Sequence, residues 1–135
     1  MIIAVDFDGT IVEHKYPKIG REKPFAIDTL RRLASEGHKL VLWTSREGEL
    51  LEDAIRYCKD RGLTFYSVNS DKPTGSLTFS DKTTSTKLVA DVYIDDRNLG
   101  GLPDWGEIYE IVNGTKRRSH HKHHHRSFLR KLFGR

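Results

Sequence analysis

The sequence predicts an α/β fold of the three-layer, Rossmann-like kind, with a central parallel sheet between helices. Three observations carry that expectation. Short β-prone apolar runs alternate with segments of helical periodicity along the first 112 residues. The strand runs are continuously apolar instead of alternating, as expected of strands buried on both faces. The links are short, and strand–helix–strand alternation with short links requires parallel pairing through right-handed crossovers.

The elements follow in order. Ile2 to Val5 reads as the first buried strand. A short hairpin is expected over about Ile11 to Lys23. Pro24 suits the first turn of a helix, where a missing N–H costs little. Ala26, Ile27, Leu30, Leu33 and Ala34 then keep helical spacing, and Gly37 supplies a stop. Leu40 to Trp43 reads as the second strand. A second helix is expected from about Glu47 to Arg61, with Leu50, Leu51, Ala54, Ile55 and Cys58 inward and Gly62 after it. Phe65 to Val68 reads as the third strand, and the polar stretch from Asn69 to Thr86 as loop. Asp91 to Asp95 reads as the fourth. Asp104 suits an N-cap for a helix over Trp105 to Val112, although Ile108 to Val112 would also serve as a short strand.

A chain of 135 residues suits one domain, which at this size buries roughly 68–70% of its unfolded surface. Cys58 is the single cysteine, so a disulfide framework and a cysteine-rich zinc site are both excluded. No apolar run approaches the roughly 20 residues of a membrane span, and Asp6 arrives too early for a signal peptide. A reducing, cytoplasmic setting is the expectation. The net charge of +4 divides unevenly. Of 23 lysines and arginines, eight lie between Lys116 and Arg135, where there is no acid. The body therefore carries 15 bases against 19 acids. Two segments result: a mildly acidic domain over 1–114 and a basic, His-rich tail over 115–135.

The chemistry-bearing residues fall at strand ends. The first strand runs into Asp6-Phe7-Asp8-Gly9-Thr10, the second into Thr44-Ser45-Arg46, and the fourth into Asp95-Asp96-Arg97-Asn98. In open parallel sheets, ligands bind at the carboxyl ends of strands, where the strand order reverses. Four carboxylates on one rim repel one another unless something neutralises them, and an all-oxygen set suits Mg²⁺. Two residues' separation along a strand puts Asp6 and Asp8 on one face. Gly9 lets the backbone turn away sharply. Carboxylates, a hydroxyl and basic groups around a cation outline a phosphoryl-transfer site.

The stretch Val5-Asp6-Phe7-Asp8-Gly9-Thr10 resembles the first motif of the haloacid dehalogenase (HAD) superfamily of phosphatases and phosphotransferases. Thr44 matches its second motif and the pair Asp95-Asp96 its fourth. A lysine before the last strand would match the third, with Lys87 favoured over Lys82 and Lys72. The resemblance covers about residues 1–112. It implies that Asp6 is the nucleophile and forms an aspartyl-phosphate. It implies that Asp8 protonates the leaving oxygen and then activates water. Thr44 and Lys87 would bind and neutralise the phosphoryl group. Asp6, the Asp8 carbonyl, Asp95 and Asp96 would form the Mg²⁺ site, with Asp95 favoured for direct contact. Gly9, Thr10, Ser45 and Arg46 are the expected substrate contacts; for Ser45, Arg46 and Arg97, helix-start or solvent roles compete equally. His14 and His38 read as surface residues, Trp43 and Trp105 as packing residues.

Many relatives insert a cap domain over the site. Here 35 residues separate Asp8 from Thr44 and 42 separate Thr44 from Lys87, which leaves no room for one. The expected enzyme is a capless Mg²⁺-dependent phosphomonoesterase with an open site, which a neighbouring subunit of a homo-oligomer could cover. Two alternatives stand beside it. Ile94-Asp95-Asp96-Arg97 and Ser45-Arg46 are similar to the phosphatase domains of polynucleotide kinase-phosphatases, which implies a nucleic-acid 3′ end as substrate. A non-catalytic module would instead present the basic tail to an anionic partner. In that tail Phe128, Leu129, Leu132 and Phe133 have the spacing of a short amphipathic helix, while solvated disorder is the plainer expectation.

Overall fold

A computed structural model describes residues 1–70 and 89–114. Lys72, Lys82, Lys87 and the tail over 115–135 lie outside the described residues. In chain order the elements are β1 (Ile2–Val5), α1 (Ala26–Ser35), β2 (Lys39–Leu42), α2 (Gly48–Asp60), β3 (Ser67–Val68), β4 (Val92–Ile94) and α3 (Trp105–Val112). The four strands form one parallel sheet in the order β3-β2-β1-β4. The chain moves from β1 through β2 to β3 on one side, then returns to place β4 on the other flank of β1. The order thus reverses between β1 and β4. Val5 pairs with Leu42 on one side and Ile94 on the other, so three strands end level. The fold is α/β and Rossmann-like, and the described residues contain no cap.

Ile3, Val5, Phe7, Leu40 and Leu42 share one core with residues of all three helices: Ile27, Leu30 and Leu33 of α1, Ala54 and Cys58 of α2, and Trp105, Ile108 and Val112 of α3. Ala4 and Val41 form a separate small cluster with Ile2, Tyr66 and Ala90. All three described helices thus contribute to this one cluster. Burial pushes the Cys58 thiol up to about 12, consistent with an inert packing residue.

The helix ends follow the expected chemistry with one difference. After α1, the amides of Gly37 and His38 donate to the carbonyls of Ala34 and Leu33; after α2, those of Gly62 and Leu63 donate to Lys59 and Cys58. Both are Schellman closures, and each glycine has positive φ. Asp104 caps α3 by accepting from the Glu107 amide at 2.8 Å, which decides the 105–112 segment for helix. Pro24, however, stands two residues before α1. The orphan amide of Ile27 is instead satisfied by the Glu22 carboxylate at 3.1 Å, reaching back from the hairpin. That hairpin is held by Glu13 N–H to the Arg21 carbonyl and Lys23 N–H to the Ile11 carbonyl.

Candidate active site

The ladder hydrogen bonds continue just past the strands. The Asp6 amide donates to the Ile94 carbonyl at 3.0 Å, and the Trp43 amide to the Val5 carbonyl at 2.8 Å. These bonds set Asp6 between the end of β4 and the end of β2. A pocket of about 640 Å³ opens there, lined by Asp6, Asp8, His14, Tyr16, Trp43, Thr44, Ser45, Asp95, Asp96 and Arg97.

On the β4 side, one carboxylate oxygen from each of Asp6, Asp95 and Asp96 lies within 4.8 Å of the others. Asp6 Oδ1 accepts from the Phe7 amide at 2.8 Å, and Asp95 Oδ1 from the Arg97 amide at 2.9 Å. Asp96 Oδ1 is buried and, among the described residues, has no hydrogen-bond partner. An unpartnered buried anionic oxygen is costly, and a divalent cation bound by three hard oxygens answers that cost. The donor set therefore fits Mg²⁺. Burial, with Asp95, Asp96 and Asp8 nearby, raises the Asp6 carboxyl to about 6. Burial and the adjacent Asp95 raise Asp96 as well.

Asp8 stands apart from this trio. Its two oxygens accept a bidentate pair from Arg46, at 2.7 Å from Nε and 2.8 Å from Nη2. The Arg46 side chain is fully buried. It also donates to the carbonyls of Lys18 (3.0 Å) and Leu50 (3.2 Å), and its guanidinium lies against the rings of Phe7 and Tyr16. Five donors in a rigid fork suit this arrangement; a lysine could not make it.

Several expectations change in consequence. Arg46 is not on the pocket lining; its guanidinium is bonded to Asp8 and to two carbonyls, and it fixes the orientation of that carboxylate. Thr10 is fully buried: its Oγ1 accepts from the Asp96 amide at 3.1 Å and its carbonyl from Trp105 Nε1 at 3.2 Å. It ties the β1 loop to the β4 loop and α3. Gly9 has φ +84, and a Cβ there would sit 2.3 Å from Asp96 Oδ2. Its part is to let the Asp96 carboxylate pack against the backbone. Thr44 and Ser45 do line the pocket. Thr44 Oγ1 accepts from the Arg46 amide at 3.1 Å, leaving its hydroxyl hydrogen to donate, while its own amide donates to Asn69 Oδ1 at 2.8 Å.

His14, Tyr16 and Trp43 also line the pocket. His14 is exposed, as expected of a surface residue, whereas Trp43 remains 38% exposed instead of packing inward; Trp105 is the packing tryptophan. His38 bonds Asn113 Oδ1 at 3.2 Å. The signal for Trp43 was its place at the end of β2, immediately before Thr44. Asn69, which fixes Thr44, follows β3 in the same way. Among the described residues, no helix is long and apolar enough to cross a membrane.

No family model matches the chain, and no curated protein matches it. A solved structure of a conserved protein from Bacteroides thetaiotaomicron does, with 58% sequence identity and a TM-score of 0.74, over 84% of this chain and 89% of that one. At that identity and coverage, the chain belongs to the same family as this conserved Bacteroides protein.

Proposed function

We propose that the protein is a capless, Mg²⁺-dependent phosphatase that hydrolyses phosphate monoesters through an aspartyl-phosphate, as the resemblance to the HAD superfamily implies. The observation that carries this reading is the contrast between two aspartates two residues apart. Asp6 lies beside the carboxylates of Asp95 and Asp96 at the strand-order reversal, and Asp8 is gripped by a buried arginine beside it.

In the first half-reaction an Asp6 oxygen forms a bond to phosphorus as the ester P–O bond breaks. Asp8 gives a proton to the departing oxygen. Each Asp8 oxygen has two lone pairs and accepts one hydrogen bond from Arg46, so a lone pair remains for that proton. In the second, water attacks the aspartyl-phosphate, its proton passes to Asp8, and inorganic phosphate leaves. Thr44 donates to a phosphoryl oxygen, and its position is fixed by Asn69 and the Arg46 amide. Asp6, Asp95 and Asp96 would hold Mg²⁺, which supplies charge neutralisation as the nucleophile and the phosphoryl group approach. Lys87 is the proposed additional positive group. Its place before β4 and the match to the third motif support it. A cytoplasmic setting accords with the single, buried thiol.

The test is hydrolysis of p-nitrophenyl phosphate by the full chain. Turnover should require Mg²⁺, stop with EDTA, and fall roughly 10³-fold or more in Asp6→Asn. Turnover that survives Asp6→Asn would contradict the covalent route.

A further inference from the structure

The pocket has two chemically different sides. Its β4 side is anionic, built by Asp6, Asp95 and Asp96. Its β2 side is aromatic: Trp43 at the strand end and Tyr16 from the hairpin both line the same pocket. Both rings are substantially open, at 38% and 49% exposure. What distinguishes these two rings from the other exposed aromatics is that both line the pocket that holds the acids, so their open faces are available to whatever occupies it. Tyr16 is also backed: the Arg46 guanidinium lies 5.1 Å from its ring centre, and Arg46 is itself locked by Asp8 and two carbonyls. The same cation that orients Asp8 thereby steadies one ring. The pocket, at about 640 Å³, is large enough for a phosphate together with a planar group.

Resting on the phosphatase reading, we infer that Trp43 and Tyr16 form a stacking platform for a nucleobase, which makes the substrate class a nucleotide phosphate monoester. The phosphate lies toward Asp6 and the base toward β2. Stacking on an aromatic side chain tolerates any base, because each has a π-face. The platform thus selects nucleotides over sugar phosphates without choosing among bases.

The experiment compares kcat/KM for adenosine 5′-monophosphate and ribose 5-phosphate with Mg²⁺, in the wild type, Trp43→Leu and Tyr16→Leu. A ratio on the order of tenfold or more in favour of the nucleotide, reduced in either variant, is expected. Trp43→Phe should retain most of the ratio, since it keeps a ring. A 3′-phosphorylated dinucleotide run in parallel separates a strand end from a free nucleotide; preference for either over ribose 5-phosphate supports the platform. A ratio near one, or one that neither leucine substitution lowers, overturns it. Adenosine itself needs neither metal nor turnover. Its saturable quenching of tryptophan emission, absent with ribose and lost in Trp43→Leu, supports the platform even if both esters resist hydrolysis, and in that case the phosphatase reading alone fails.

Discussion

Asp6 and Asp8 leave the same strand on the same face, yet their surroundings are opposites. Among the described residues Asp6 has no cationic partner; it shares its space with Asp95 and Asp96, and its carboxyl is raised to about 6. Asp8 has a buried arginine that donates one hydrogen bond to each of its oxygens. One carboxylate is left in want of a cation, while the other is fixed in orientation. Identical side chains thereby acquire different chemistry, because the strand order puts acids on one flank of β1 and the Ser45-Arg46 turn on the other. The pattern of two acids in unlike environments is what a nucleophile and an acid–base group require.

Removing either half of the contrast should have unequal consequences. Asp6→Asn should have the largest effect on turnover, as given above, and little cost in folding. Arg46→Ala should unfold more readily, by roughly 3–5 kcal/mol, because it leaves Asp8 without its partner and opens space against Phe7 and Tyr16. Denaturant melts of the two variants side by side check this opposition, and Arg46→Lys should recover little of the loss. Gly9→Ala comes next. It forces an alanine to positive φ and into Asp96, for a cost of about 1–3 kcal/mol and a weakened Mg²⁺ affinity, both read from thermal melts with and without the ion.

The smallest effect is the pH dependence of the metal-free protein. A carboxyl raised in the folded state holds its proton longer than in the unfolded chain. Folding therefore binds protons between about pH 4 and 6, and stability falls as pH rises through that window. With Asp6 partly open to solvent, the loss should be about 1–2 kcal/mol. In EDTA, the wild type should lose this increment relative to Asp6→Asn between pH 4 and 7. Saturating Mg²⁺ should restore it in the wild type alone. Equal pH slopes for both proteins would mean that Asp6 is not the strained member of the pair.

Much of this was legible in the sequence, because it depends on local signals. The strand runs, Gly37 and Gly62 as helix stops, and Asp104 before Trp105 each declare themselves within a few residues. The acids were legible too, since each directly follows a strand. What escaped depends on contacts between distant segments. Glu22 caps α1 only because the hairpin folds back. Arg46 looks like any residue at a helix start until Asp8, 38 positions earlier, is brought against it. Thr10 reads as a polar loop residue until the β4 loop meets it, 86 positions on. Tyr16 and Trp43 carry no spacing that distinguishes a platform from packing.

β1 lies between β2 and β4, and its partner on one flank arrives some 90 residues later in the chain. Until Val92–Ile94 docks, that flank is a bare hydrogen-bonding edge, and Asp6 is an ordinary solvated acid. Closing so long a loop is among the slower kinds of event in assembling a sheet. Competence and completion coincide: an intermediate lacking its final strand is both prone to edge-to-edge association and devoid of the acidic trio. Affinity for the divalent ion would then report that the last long-range pairing has been made.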